Sequence, residues 1–211
     1  MSTLLRPAAR IATSPDVLGR IGEDECNLAI WQRPAFADLA PLVAGTPDDL
    51  RFDCGLAGLP GLLRSGLVDH GFGGGNSLHK ELVTDATLLA TLFCKALGLE
   101  RFELRLEVVR TDSCRKFHAD YVSARLITTY VGEGTDWLDG ADAARVAAGE
   151  EPQRINRMHP FDVGLFKGKL ASDHPAIHRS PPIAGTGAAR LLMVLNPAQK
   201  QFVDSGQSPV S

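Results

Sequence analysis

The second half of the chain contains a series of short β-type segments, and this pattern limits the fold more than any other feature. Residues 104–110 alternate apolar and charged side chains, as a strand with one buried face does. Four further segments have strand-like composition and are closed by glycine or proline, namely 125–131, 161–168, 176–180 and 190–196. Short strands with turn residues between them are typical of a closed or sandwiched β-unit. We therefore expect a jelly-roll, or double-stranded β-helix, over residues 101–197.

The first hundred residues have a different pattern and are expected to support that unit. Residues 85–97 have helical apolar spacing and are followed by Gly98, so a helix should cover one face of the barrel. We also expect a strand over 27–32 and a short helix over 35–43. Residues 56–67 contain several glycines and a proline and should form a loop or a broken helix. The fold class is predicted to be α+β.

The length of the chain favours one compact domain. At 211 residues the chain can bury a sizeable core and does not require two independent domains. We expect a single domain over 1–211, with mainly helical support over 1–100, the jelly-roll metal-binding core over 101–197 and a tail over 198–211. Residues 1–14 are expected to be a disordered start.

The charge balance excludes some classes of partner. The net charge is −3, from 22 basic and 25 acidic residues, so there is no general attraction to nucleic acid or to an anionic membrane. The apolar stretches are far shorter than the roughly 20 residues of a membrane span, and a signal-peptide core is not seen. We expect a soluble, cytoplasmic protein without a nucleic-acid or membrane partner.

The motif His118-Ala119-Asp120 lies between two of the predicted strands. On an extended strand, side chains two residues apart point the same way, so His118 and Asp120 can bind one metal ion. His178, in a later predicted strand, would complete a two-histidine, one-carboxylate face. Non-haem Fe(II) oxygenases use such a face because it leaves coordination positions open. The alternative is a solvated strand end, or a histidine that only hydrogen-bonds a nearby carboxylate.

A possible cosubstrate site accompanies this metal site. Arg190 follows His178 by 12 residues, and its planar guanidinium could hold the far carboxylate of 2-oxoglutarate through two hydrogen bonds. Thr128 and Tyr130 share one face of the strand over 125–131. If that face points inward they could hydrogen-bond the cosubstrate, although a packed interior is the alternative.

Several segments together resemble a known bacterial family. The similarity is to the family catalogued as domain of unknown function 1826, and it spans nearly the whole chain. The segments that carry it are NLAIWQR, CRKFHADYVSARLITTYVGEGTDWL, HRSPP and RLLMVLN. This family has no established activity that the resemblance could transfer.

The order of the motifs also resembles the Fe(II)- and 2-oxoglutarate-dependent dioxygenase superfamily. That resemblance implies His118, Asp120 and His178 as iron ligands. It implies Arg190 as the anchor of 2-oxoglutarate. Lys167 is a second candidate anchor, because some members of the superfamily use a lysine from an inner strand for that carboxylate.

Two classes of function follow from these residues. The first is an Fe(II)/2-oxoglutarate-dependent dioxygenase that hydroxylates an unknown substrate, either a small molecule or a protein side chain. The alternative is a cupin-like metal-homeostasis protein, hydrolase or isomerase that binds zinc or manganese without 2-oxoglutarate, since ligand identity alone does not exclude these ions. Arg190 discriminates between them, because the alternative has no evident need for it. Residues 139–157 interrupt the strand pattern and are expected to cover the barrel mouth.

Overall fold

The computed structural model describes residues 8–198, which form two β-sheets and several helices. The first half contains β1 (Ala8–Ala12), a 3-10 helix (Pro15–Gly22), β2 (Cys26–Trp31), a 3-10 turn (Ala40–Val43), β3 (Leu50–Gly55), α1 (Leu59–Asp69) and α2 (Gly75–Leu97). The second half contains β4 (Arg101–Val109), β5 (Ala124–Val131), β6 (Asp136–Trp137), α3 (Gly140–Ala147), β7 (Asn156–Arg157), β8 (Val163–Lys167), β9 (His178–Arg179) and β10 (Arg190–Pro197). Within the described range, no helix is both long enough and apolar enough to cross a membrane.

Seven strands form a main sheet and three short strands form a second one. The main sheet has the order β1-β2-β8-β5-β10-β4-β3, and the second sheet has the order β7-β6-β9. Neighbouring strands of the main sheet are antiparallel, except that β1 runs parallel to β2. The fold is therefore a mixed α+β arrangement built on one large sheet, which confirms the predicted class.

The two faces of the main sheet pack against different partners. Adjacent residues of a strand point to opposite faces, and on β5 this separates Leu126 from Ile127. Leu126 joins the main core, which α2 helps to cover with fully buried residues such as Leu89 and Phe93. Ile127 joins a smaller core that also contains Trp137 of the second sheet. The second sheet therefore packs against the face of the main sheet that α2 leaves open.

The helices differ from the sequence prediction in extent. The predicted helix over 85–97 exists but begins earlier, since α2 starts at Gly75. Its end was predicted correctly: Gly98 adopts a left-handed conformation with φ of 65° and closes the last turn. The short helix expected over 35–43 is limited to the 3-10 turn at Ala40–Val43.

The prediction of a loop or a broken helix over 56–67 was wrong for most of this region. Residues 56–58 form a turn, but α1 is unbroken from Leu59, and Pro60 stands in its first turn, where a missing N–H removes no helical hydrogen bond. Gly66 has a packing role, because a Cβ there would lie 2.6 Å from the Leu50 side chain of β3. This glycine allows the helix to approach the sheet closely.

The main sheet extends across the predicted division at residue 100. β1, β2 and β3 all precede that residue and are hydrogen-bonded into the same sheet as β4 and β10. The disordered start expected over 1–14 is wrong for Ala8–Ala12, which forms β1. This strand is short and lies at the sheet edge with Ile11 exposed, so its sequence lacks a clear alternation. Residues 1–7 and the predicted tail, apart from Ala198, lie outside the described residues.

Candidate metal centre

Three side chains from two distant parts of the chain meet beside the second sheet. His118 and Asp120 lie in the irregular segment between β4 and β5, as the sequence predicted, and His178 begins β9. The backbones of His118 and His178 nevertheless pair as an isolated bridge, with N–H to O distances of 3.0 and 2.9 Å. This bridge holds the loop on β9 and brings the two rings to a centroid distance of 4.8 Å.

The cluster is closed on one side and open on the other. One ligand atom each from His118, Asp120 and His178 lies within 4.8 Å of the other two. The side chains of His178 and Asp120 are 5% and 9% exposed. The His118 side chain is 35% exposed, so solvent reaches the cluster from its side. The structure thus brings together the three residues that the sequence predicted as metal ligands.

Hydrogen bonds fix which ring nitrogens can bind a metal. His118 Nδ1 lies 2.9 Å from the Lys116 carbonyl and His178 Nδ1 lies 3.4 Å from the Ala176 carbonyl. A carbonyl only accepts, so each Nδ1–H donates to it and Nε2 is the ring nitrogen left to bind a metal. Asp120 Oδ2 is buried, and His178 Nε2 lies 3.3 Å from it. Two imidazole nitrogens and a carboxylate oxygen that face one another at these distances fit a metal ion.

The electrostatic surroundings keep the Asp120 carboxylate ionised. Its other oxygen, Oδ1, accepts a hydrogen bond of 2.6 Å from Arg125 Nη1. Burial alone would raise the pKa of Asp120, but the His178 ring and the Arg125 guanidinium together hold that pKa below its usual value. The carboxylate is therefore ionised at neutral pH, as metal binding requires.

Arg190 is a buried cation without a carboxylate partner. The residue is 1% exposed, and burial lowers its pKa to about 10. Its nitrogens donate to the Glu133 carbonyl at 2.7 Å, to Ser180 Oγ at 2.8 Å and to Thr129 Oγ1 at 3.3 Å. All three acceptors are neutral, and within residues 8–198 no carboxylate forms an ion pair with this guanidinium.

Ser180 links this cation to the metal cluster. It follows His178 by two residues in the chain. The guanidinium that contacts Ser180 Oγ is therefore held by the segment that carries His178.

The structure places the other predicted cosubstrate residues elsewhere. Tyr130 belongs to the main core, and its hydroxyl donates to Asp85 Oδ2 of α2 at 2.7 Å. Thr128 has the same parity on β5 and is fully buried. These two residues do share a face, as predicted, but it is the face covered by helices. The next residue, Thr129, points toward the second sheet and contacts Arg190.

Lys167 is also separated from the cluster. Its ammonium group donates to the Glu23 carbonyl at 2.7 Å, at the end of the first 3-10 helix. The backbone carbonyl of Lys167 accepts from Ala176 N–H at 2.9 Å, but its ammonium group is directed to Glu23. Of the two candidate anchors, Arg190 is the one whose charged group contacts the segment that carries His178.

Sequence reasoning missed three polar residues of this region. Ser180 could have been found, because it has the same strand parity as His178 in the segment Ile177-His178-Arg179-Ser180. Thr129 would have followed from the correct choice of inward face on β5. Arg125 had no sequence signal, because its contact with Asp120 depends on how the preceding loop folds back.

Comparisons with solved structures found distant similarities. The dioxygenase for auxin oxidation in rice is 14% identical, with 95% of this chain and 88% of that chain covered and a TM-score of 0.45. The dioxygenase for auxin oxidation 1 from Arabidopsis thaliana, in a 2-oxoglutarate binary complex, is 11% identical, with coverage of 90% and 91% and a TM-score of 0.48. A Pseudomonas putida prolyl-4-hydroxylase is 10% identical, with coverage of 89% and 100% and a TM-score of 0.47. Because all three scores lie below 0.5, the function proposed below rests on the site itself.

Comparison at the level of sequence gave one clear assignment. A search of curated proteins found no match. The model of the family described as protein of unknown function (DUF1826) matches residues 12–196, a range that includes the metal cluster and Arg190. This confirms the family resemblance inferred from the sequence segments. The chain therefore belongs to the DUF1826 family.

Proposed function

We propose that this protein is a non-haem Fe(II)- and 2-oxoglutarate-dependent oxygenase that hydroxylates a small molecule or a protein side chain. The observation that carries the proposal is that Arg190 is buried, makes no ion pair within residues 8–198, and contacts Ser180 in the segment that also supplies His178 to a two-histidine, one-carboxylate cluster. When bound, Fe(II) and 2-oxoglutarate supply the oxygen chemistry: one atom of O2 enters the substrate C–H bond, and the other enters the succinate formed as CO2 is lost.

The ligand residues would hold the metal through a defined set of atoms. His118 and His178 would each contribute Nε2, because their Nδ1 protons are engaged with backbone carbonyls. Asp120 would contribute Oδ2, which lies 3.3 Å from His178 Nε2. Three protein ligands on one face leave the remaining positions for cosubstrate and oxygen. Zinc or manganese could bind the same atoms, so the metal cluster alone does not select the reaction.

Arg190 would bind the far carboxylate of 2-oxoglutarate. Burying a guanidinium among neutral acceptors is costly, and an anionic ligand would offset that cost. The hydroxyls of Thr129 and Ser180, already in contact with Arg190, could donate to the same carboxylate.

Apolar side chains surround the buried end of the cluster. The Phe166 ring lies 4.6 Å from the His178 ring, centroid to centroid. Phe166 belongs to the smaller core together with Ile127, Trp137 and Met158. Such a wall excludes water, which strengthens the interaction of Arg190 with an anion.

The proposed function also implies a specific architecture for the two sheets. We propose that the two sheets are the two halves of a double-stranded β-helix, with the metal ligands at one end. The smaller core supports this, because it joins Ile127 and Phe166 of the main sheet to Trp137 of the second sheet. The backbone bridge between His118 and His178 extends the second sheet by one further connection.

Binding of 2-oxoglutarate to the Arg190→Leu protein tests the proposal. The variant should keep its metal but lose the cosubstrate, because a buried unpaired carboxylate costs roughly 3–5 kcal/mol, or more than a hundredfold in affinity. Arg190→Lys should restore only part of the affinity, because a point charge does not reproduce the planar two-bond contact. The measurement is anaerobic calorimetry of 2-oxoglutarate binding to Fe(II)-loaded protein.

Arg179→Leu is the matched control for this experiment. Arg179 is the neighbour of His178 in β9, points to the other side of the strand and pairs with Asp136. Its loss should leave the 2-oxoglutarate affinity unchanged. If the wild-type protein does not bind 2-oxoglutarate, or if Arg190→Leu binds it equally well, the oxygenase assignment fails. A zinc- or manganese-binding protein then becomes the better description.

A further inference from the structure

A line of hydrogen-bonded side chains crosses three neighbouring strands of the main sheet and ends on Asp120. Glu103 of β4 accepts from Asn196 Nδ2 at 2.8 Å. Asn196 of β10 accepts through Oδ1 from Arg125 Nε of β5 at 2.7 Å. Arg125 donates through Nη1 to Asp120 Oδ1 at 2.6 Å. Because β5, β10 and β4 are adjacent in the sheet, each member lies beside the next.

The direction of each hydrogen bond in this line is fixed by chemistry. A carboxylate only accepts and a guanidinium only donates, so the Asn196 amide must present Nδ2 to Glu103 and Oδ1 to Arg125. Glu103 is itself held by two arginines, with Arg51 Nε at 2.7 Å and Arg105 Nε at 2.5 Å. The Glu103 end of the line is therefore fixed in the sheet, and Arg125 at the other end contacts Asp120.

The contact with Arg125 selects the orientation of the Asp120 carboxylate. The terminal torsion of an aspartate is broad and roughly two-fold, so the side chain alone does not determine which oxygen faces the histidines. Arg125 occupies Oδ1, and this leaves Oδ2 facing His178 Nε2 at 3.3 Å. Outer partners of this kind commonly orient metal ligands in proteins.

We infer that Arg125 is a positioning residue for the metal ligand Asp120, and that Asn196 acts on Asp120 through Arg125. The inference rests on the metal site proposed above. The Arg125–Asn196–Glu103 line would hold Asp120 so that a single carboxylate oxygen, Oδ2, faces the ion.

The direction in which metal affinity changes when Arg125 is removed distinguishes a positioning role from a purely electrostatic one. The positive charge of Arg125 lies close to the cluster and repels a cation, so electrostatics alone predicts tighter metal binding when Arg125 is removed. Positioning predicts weaker binding, because Asp120 would rotate away from the histidines. The two accounts therefore give opposite results for the same substitution.

Titration with Co(II), followed by its visible ligand-field absorption, tests the inference in the full-length protein. Arg125→Met should weaken Co(II) binding by about 10–100-fold, the usual effect of losing an outer partner, and should change the shape of the spectrum. Arg125→Lys keeps a charged donor and should restore part of the affinity and the wild-type spectrum. Asn196→Ala should weaken binding less than Arg125→Met does. The double variant should be no weaker than Arg125→Met alone, because Asn196 acts through Arg125.

Arg110→Met is the matched control, since it removes the same charge from an arginine that, in the described part of the chain, donates to the carbonyls of Val43 and Gly45. It should leave the Co(II) affinity unchanged. Tight binding with an unchanged spectrum in Arg125→Met, or additive losses in the double variant, would overturn the inference and leave the metal site standing. Failure of the wild-type protein to bind Co(II) would instead remove the metal site and the inference with it. Should Arg125→Met not fold, the comparison of Asn196→Ala and Arg125→Lys with wild type decides the same question.

Discussion

At the scale of single residues, two buried arginines show different ways of accommodating a charge. Arg33 and Asp85 form an ion pair in which each side chain is 7% exposed, and Arg33 also donates to the Phe161 carbonyl. Arg190 is buried at least as deeply, but its hydrogen bonds within residues 8–198 go to neutral oxygens. A buried charge normally has a counter-charge or a ligand. This difference between Arg33 and Arg190 is the reason to assign an anion to Arg190.

The histidines give the residue-scale prediction. His178→Ala should reduce bound metal strongly, because His178 supplies one of three ligands and its second ring nitrogen is already oriented by the Ala176 carbonyl. His174→Ala should keep full metal content. His174 precedes His178 by four residues and lies outside the cluster, with its exposed backbone N–H bonded to Ser172. Elemental analysis of the purified variants gives the answer, and full metal in His178→Ala with loss in His174→Ala would refute the ligand assignment.

At the scale of elements, the end of β8 positions the loop that carries Asp120. Lys169 N donates to the Asp120 carbonyl at 2.9 Å, and Gly168 N donates to the Ser123 carbonyl at 2.9 Å. A Cβ at Gly168 would lie 2.1 Å from the Val122 carbonyl oxygen, so only glycine permits this approach. The turn after β8 and the metal-ligand loop are therefore one packed unit.

Substitution of Gly168 tests this link between packing and metal binding. Gly168→Ala should destabilise the protein by about 1–3 kcal/mol through overpacking, and it should lower metal affinity because the loop must move. Gly61→Ala is the control: Gly61 lies in α1 with open space around its missing Cβ. That substitution should be neutral or stabilise by up to about 1 kcal/mol. Denaturant unfolding and Co(II) titration measure both effects, and unchanged metal affinity in a destabilised Gly168→Ala protein would contradict the link.

The elements also show how much the sequence could reveal. β4 was predictable because apolar and charged side chains alternate along it, and the other strands because they are short apolar segments closed by glycine or proline. The predicted segments overlap β4, β5, β8, β9 and β10. α1 was missed because glycine and proline counted as breakers, whereas Gly66 serves close packing on Leu50. Local sequence does not record such tertiary contacts.

The candidate site was predictable to a similar extent. Side-chain parity identified His118 and Asp120 as a pair, and the structure brings both together with His178. Parity does not say which face of a strand points to the core, so Thr128 and Tyr130 were assigned to the cosubstrate instead of Thr129. The line from Asp120 to Glu103 depends on strand order in the sheet, which a single sequence does not show.

In the whole molecule, the two faces of the main sheet pack against different cores and have different roles. On one face, α2 and its neighbours bury the large apolar core that stabilises the fold. On the other face, a small core beneath the second sheet includes Phe166, whose ring lies 4.6 Å from that of His178 in the candidate metal centre. The stable face therefore serves as the scaffold on which the polar residues of the other face are held in place.

An absorbance titration tests whether the cluster of His118, Asp120 and His178 binds Fe(II) and 2-oxoglutarate together. Under anaerobic conditions, wild-type protein should develop a visible metal-to-ligand charge-transfer band only when Fe(II) and 2-oxoglutarate are both present. The band requires the keto acid to bind the iron held by His118, Asp120 and His178. Fe(II) that binds at this cluster without giving the band at any 2-oxoglutarate concentration would contradict the account.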